Sequence, residues 1–189
     1  MVSFLMMLLA GLSPQKMEAW QICTTAIYLH PPMRDVRQVP GALPTCLDVA
    51  ETALDMGVNP VAAVATAYHE SRFRDVPCRK GQLRMAAKGL DRMSLPTWCE
   101  QGPLQIKPKW HCPDRKYTAD CDTVRQGVGL LGKLYDSSPS KHRESVRWGI
   151  AFAQYKHFLQ PDGQYGVNVS TRMRRLNLKL RRIRRGRRI

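Results

Sequence analysis

The sequence predicts an all-α fold, on three observations. Apolar residues recur at steps of three and four in segment after segment, the spacing that lines one face of a helix. Helix-starting residues stand ahead of those segments: Ser13-Pro14, Asn59-Pro60 and Asp122. Short polar side chains cap helices, and proline fits the first turn because its missing N–H would be unpaired there anyway. Finally, no segment alternates apolar and polar residues as a half-buried strand does. At 189 residues, 43% of them hydrophobic, the chain suits one domain with an ordinary core plus extensions, and the composition excludes a disordered chain. No internal repeat is present.

The apolar run Val2 to Leu12 fits two readings, the core of a signal peptide without a basic start, or an N-terminal helix packed on the domain. It is too short for an ordinary transmembrane helix. Ser13-Pro14 opens a helix expected to run to about Tyr28, where Pro31-Pro32 ends it. A loop rich in Pro, Gly and Arg follows to Pro44. Thr45 then starts a helix with Leu47, Ala50, Leu54 and Val58 on one side, stopped near Gly57.

The next helix begins at Asn59-Pro60 and carries Val61, Val64 and Tyr68 at core spacing, with Ala62, Ala63, Ala65 and Ala67 permitting close neighbours. It delivers Glu70 near its C-terminal end. Burial disfavours a charged carboxylate there, and the negative end of the helix dipole acts in the same sense. A general acid working near neutral pH requires that environment. The alternative is an exposed acid in a last turn.

From Arg74 to Gln101 runs an irregular segment bracketed by Cys78 and Cys99, read as a surface excursion that a disulfide ties down. Asp122 caps a helix with Val124, Val128, Leu131 and Leu134; its Gly127, Gly129 and Gly132 weaken an isolated helix and so point to close packing. A helix over about Arg143 to Phe158 carries two stripes, Val146, Ile150 and Ala153 on one side and Trp148, Phe152 and Tyr155 on the other. After Pro161-Asp162-Gly163 the last helix spaces Val169, Met173, Leu176, Leu180 and Ile183 along one face.

Six cysteines, at 23, 46, 78, 99, 112 and 121, form an even set with no Cys-x-x-Cys. Disulfides formed in an oxidising compartment account for them best, and pairing of nearest neighbours (23–46, 78–99, 112–121) is the simplest connectivity. A zinc site of Cys99, His111, Cys112 and Cys121 and a reduced structural set are the alternatives. The formal charge of +15 is uneven: Arg172 to Ile189 contributes nine Arg and Lys179 with no acid, leaving +5 for the other residues.

Two motifs identify a chemistry. Glu70-Ser71-Arg72-Phe73 follows the alanine-rich helix, and Gly102-Pro103-Leu104-Gln105-Ile106 comes later. Together they resemble lytic transglycosylases of the soluble-lytic-transglycosylase type, whose fold is lysozyme-like and related to goose-type lysozyme. The family's Glu-Ser-x-Phe motif matches at Glu70 and Ser71. Its Gly-Leu-Met-Gln-Ile motif matches at Gly102, Leu104, Gln105 and Ile106, with Pro103 in place of leucine. Asp122 to Leu134 is similar to the family's glycine-bearing helix, with Gly127 in the glycine position. Ala153-Gln154-Tyr155 stands where the family has Ala-Tyr-Asn, with Lys156 instead of Asn, and Tyr165-Gly166-Val167 through Leu176 resembles the closing helix. The similarity covers residues 45–178.

The resemblance implies a catalytic Glu70, with Ser71, Gln105 and Tyr155 as substrate-binding or orienting residues, and no metal or organic cofactor. It implies cleavage of peptidoglycan strands between MurNAc and GlcNAc. A desolvated Glu protonates the leaving oxygen. In this family the same Glu then takes the proton of the muramic acid 6-hydroxyl, giving a 1,6-anhydro product without a second carboxylate. Asp75, Asp91 and Glu100 are the candidate second carboxylates, expected as solvated loop charges. One of them at about 6.5–9.5 Å from Glu70 would suit an inverting muramidase.

The expected layout is an N-terminal apolar segment and helical extension over 1–44, a lysozyme-like domain over 45–171 and a basic amphipathic tail over 172–189. The tail suits an anionic membrane or lipopolysaccharide, with nucleic acid as a rival held by charge alone and no specific nucleic-acid site expected. A solvated tail that only aids solubility is the plainest alternative. A monomeric enzyme of the periplasm, the extracellular space or a phage virion is expected. The competing class is a non-catalytic protein binding glycan or nucleic acid.

Overall fold

The computed structural model describes residues 13–29, 31–74, 100–107, 111–112, 121–155 and 164–186. The described residues hold six α-helices and no strand: α1 (Pro14–Thr24), α2 (Ala42–Asp55), α3 (Pro60–Ser71), α4 (Thr123–Ser137), α5 (Glu144–Tyr155) and α6 (Gln164–Gly186). The all-α expectation therefore holds. None of these helices is long and apolar enough to cross a membrane. The apolar run before Ser13, Asp75, Asp91, Cys78, Cys99 and Lys156 lie outside the described residues.

Helix α3 is the axis of the molecule. Every residue from Val61 to Tyr68 is buried, as are Glu70 and Ser71. A helix buried on all sides needs small side chains so that several neighbours can approach, and the four alanines meet that need. α2 and α6 pack against it, α1 touches both α2 and α3, α4 packs on α2, and α5 joins α4 to α6. Asn59 starts α3 as its sequence implies, its side-chain oxygen accepting from Val61 N at 3.0 Å and Ala62 N at 3.2 Å.

Three elements differ from expectation. α1 is capped by Ser13 (Lys16 N to Ser13 Oγ, 3.3 Å) but does not continue as an α-helix to Tyr28. It widens into a π-turn over Thr25–Leu29, followed by a 3-10 helix over Pro31–Gln38 where a loop was expected. Thr24 Oγ1 donates back to Trp20 O at 2.7 Å just where the α pattern ends, a side-chain bond that competes with the backbone ladder. The guanidinium of Arg37 then caps the end of the π-turn, donating to Ile27 O and Tyr28 O. Pro31-Pro32 stops the α1 run and also starts the 3-10 turn, because its fixed φ suits a first turn.

α2 begins three residues before Thr45, after Gly41 at φ 75°, with Pro44 tolerated in its first turn. Its buried row is Ala42, Cys46, Val49, Ala50 and Ala53, while Leu47, Leu54 and Val58 are only partly buried. The small residues face inward because α3 presents alanines at close range. In α5 the core stripe is Trp148, Ala151 and Phe152, and Val146 of the other stripe is 45% exposed.

Two of the nearest-neighbour disulfides are formed. Cys23–Cys46 joins α1 to α2 with Cα atoms 5.8 Å apart, and Cys112–Cys121 closes a short loop before α4 at 5.7 Å. The second bond takes both thiols from the zinc alternative. The first ties residues assigned to an extension into the core that holds α3. At the other end, α6 runs unbroken through the boundary expected at 171/172. Met173, Leu176 and Leu180 are buried beyond it.

Candidate active site

The C-terminus of α3 presents Glu70 and Ser71 in its last turn, 6% and 8% exposed. Arg72 at φ 59° ends the helix and Phe73 at φ 58° follows it, two left-handed residues without glycine. Phe73 is fully buried with its ring 6.0 Å from that of Tyr68, and this anchors the reversal. Arg72 reaches back over the Tyr68 ring and pairs with Asp35 at 2.6 Å. The chain therefore leaves Glu70 along a fixed path.

Against the end of α3 lies the second motif. Gln101 and Ile106 form a two-way bridge (2.7 and 3.0 Å) that pinches residues 102–105 into a buried turn. Gly102 sits at φ +70°, where a Cβ would collide with Thr123. Gln105 takes φ 50° with no glycine to ease it. Its amide Nε2 donates to Gly102 O at 2.7 Å, which locks the turn. Gln105 Oε1 is buried and has no hydrogen-bond partner among the described residues.

Two hydroxyls clamp this turn to the helices. Ser71 Oγ donates toward Pro103 O at 2.8 Å, with Ala67 O at 3.1 Å. Tyr155 Oη donates to Leu104 O at 2.7 Å from α5. From a third side Gly127 of α4 admits the turn, since a Cβ there would lie 2.7 Å from the Leu104 side chain. Ser71 and Tyr155, read from sequence as substrate-binding residues, thus donate their protons within the protein and fix the wall facing Glu70. Of the polar side-chain atoms of Ser71, Gln105 and Tyr155, Gln105 Oε1 is the one buried with no partner among the described residues.

Tyr165, in the first turn of α6, completes the cluster. Its ring lies parallel to that of Tyr155 at 6.3 Å, and His69 meets it edge-on at 4.8 Å. Burial pushes the Tyr165 phenol well above its ordinary pKa; the charge of Glu70 and of Tyr155, a marginal hydrogen bond to Glu70 and the charge of Glu100 add to the shift. The Tyr155 phenol is raised in the same way by burial first, then by Glu70 and Glu100. Two neutral phenols and two carboxyls therefore share one electrostatic environment.

Glu100 departs from its expected place as a solvated loop charge: it is 5% exposed, at the foot of the bridged turn. Sequence reading also missed Tyr165 as a site residue. Its only signal is Gly166, which lets α6 approach α5 so closely that a Cβ would stand 3.0 Å from Ala153 N and so brings the two tyrosines together. No set of three or more His, Cys, Asp or Glu side chains among the described residues is grouped to hold a metal ion. Comparisons with protein-family models, with curated proteins and with solved structures find no match to this chain.

Proposed function

We propose that this protein is a peptidoglycan lytic transglycosylase with a lysozyme-like helical domain, acting through Glu70. The observation that carries the reading is the burial of Glu70 to 6% at the end of α3, beside Tyr155, Tyr165 and the Gly102–Ile106 turn. A carboxyl removed from water and faced by undissociated phenols suits a general acid. In the first step Glu70 gives its proton to the glycosidic oxygen, the bond to MurNAc C1 breaks, and GlcNAc leaves as the alcohol. In the second, the Glu70 carboxylate takes the proton of the C6 hydroxyl, whose oxygen closes on C1 to give 1,6-anhydro-MurNAc. Glu70 ends protonated, and no water is consumed. Gln105 Oε1 is suited to accept a hydrogen bond from a sugar hydroxyl or amide.

A second reading has one specific observation in its favour. Glu100 is a buried carboxyl that acts on the same two phenols. As a base for water it would make the enzyme an inverting muramidase. Digestion of purified peptidoglycan followed by product mass analysis separates the two. Anhydro products are expected, and reducing-end muropeptides, heavier by one water, would establish the hydrolase. Glu70→Gln is expected to lower kcat about 10²–10⁴-fold, the usual range for a lost acid–base group. A wild-type protein that binds but never clears walls would instead leave a glycan-binding protein. Two disulfides fit an oxidising compartment, the periplasm or the cell exterior, and the proposal includes a virion as carrier.

A further inference from the structure

The C-terminal helix was expected to offer an apolar stripe and a basic face to an anionic surface, and its packing changes what it can offer. Val169, Met173, Leu176 and Leu180 are buried against the molecule's own core. The apolar stripe that would enter a bilayer is therefore already used. What faces outward is Arg174, Arg175, Arg181, Arg182, Arg184 and Arg185, all exposed, on a helix with no acidic residue. Of these, Arg184 is paired, with Glu18 at 3.1 Å. From Arg174 to Arg185 the helix rises about 16 Å, about two Debye lengths at physiological salt, so the row attracts an anionic surface in close contact and is released by added salt.

We propose that this outer face of α6 docks the protein on an anionic phospholipid surface by charge, lying on the headgroups without inserting. Charge complementarity supplies the attraction. Leu178, 47% exposed between Arg174/Arg175 and Arg181/Arg182, stands at the centre of the face, where it suits the apolar fringe of a headgroup layer rather than a row of phosphates in water. The aromatic residue of this helix, Tyr165, is buried, so the face has no ring on which nucleotide bases could stack. The helix is continuous from Gln164 to Gly186 and packs against α5 and α3, which fixes the face that the arginines present.

The test uses the full chain and vesicles of phosphatidylcholine alone or mixed with phosphatidylglycerol, read by co-sedimentation at low and high salt. Binding to the anionic vesicles alone is expected, released by high salt. The combined variant Arg174→Gln, Arg175→Gln, Arg181→Gln, Arg182→Gln should bind more than about tenfold more weakly with an unchanged helical circular dichroism spectrum. Its clearing of purified walls should persist, so a failure of docking and a failure of the enzymatic reading are seen separately. Equal binding to neutral vesicles, binding that survives high salt, undiminished binding of the variant, or displacement from the vesicles by an equal charge of duplex DNA would each overturn the proposal.

Discussion

The proposal that Glu70 is an acid rests on what surrounds it at the scale of single atoms. Both phenols beside it are held protonated well above the ordinary tyrosine range, mainly by burial and then by the Glu70 charge. The sign of the linked effect is fixed: a group whose folded pKa lies above its unfolded value gives stability that is whole below the unfolded pKa and lost as pH rises past it. Stability should therefore fall as pH climbs beyond about 10, and Tyr165→Phe should flatten that fall in urea titrations; an unchanged slope would count against the assignment. Glu100→Gln should keep anhydro products and activity within about tenfold of wild type, because the lyase needs no second carboxylate, whereas a loss near that of Glu70→Gln would point to a base. Glu70 and Gln105 were legible because a family-like motif brackets each. Glu100 was not, since an acid beside a cysteine-bracketed segment reads as solvated until the bridged turn is seen to bury it. Tyr165 was placed in the stretch that resembles a closing helix but not among the site residues, since one aromatic at a helix start does not mark a site by itself.

Helices show a different balance of what can be foreseen. Start signals were legible because capping is local: Ser13, Asn59 and Asp122 each accept from a backbone N–H two or three residues ahead. The inward faces of α2 and α5 were less so, because which stripe is buried depends on the neighbour. Small residues of α2 turn toward the alanines of α3, and the aromatic stripe of α5 stacks with Tyr135 of α4 at a centroid distance of 4.3 Å. The π-turn and 3-10 helix escaped periodicity altogether, since neither repeats at the α spacing. α4 also offers a sharp test. Gly127→Ala places a methyl 2.7 Å from the Leu104 side chain, and overpacking of this kind costs about 1–3 kcal/mol. Activity should fall further than chemical denaturation implies, because the displaced atoms belong to the turn facing Glu70. Equal losses at Gly127 and at a core site remote from the turn would refute that link.

At the scale of the whole molecule, the described helices pack on one another across both boundaries read from the sequence. Cys23–Cys46 closes 23 residues between α1 and α2, a loop whose closure is worth about 3 kcal/mol. Replacing both cysteines by alanine should lower unfolding stability by about that amount while Cys112–Cys121 stays intact, and an unchanged denaturation midpoint would refute that contribution. α6 runs as one helix through residues 171 and 172. Tyr165 stands at one end of this rod beside Glu70, and the exposed arginines stand at the other. Between Tyr165 and Arg182 the rise is about 25 Å, with no break in the helix. On the two readings proposed above, a protein lying on its arginines would hold Glu70 to one side of its anchor, in a direction set by one unbroken helix.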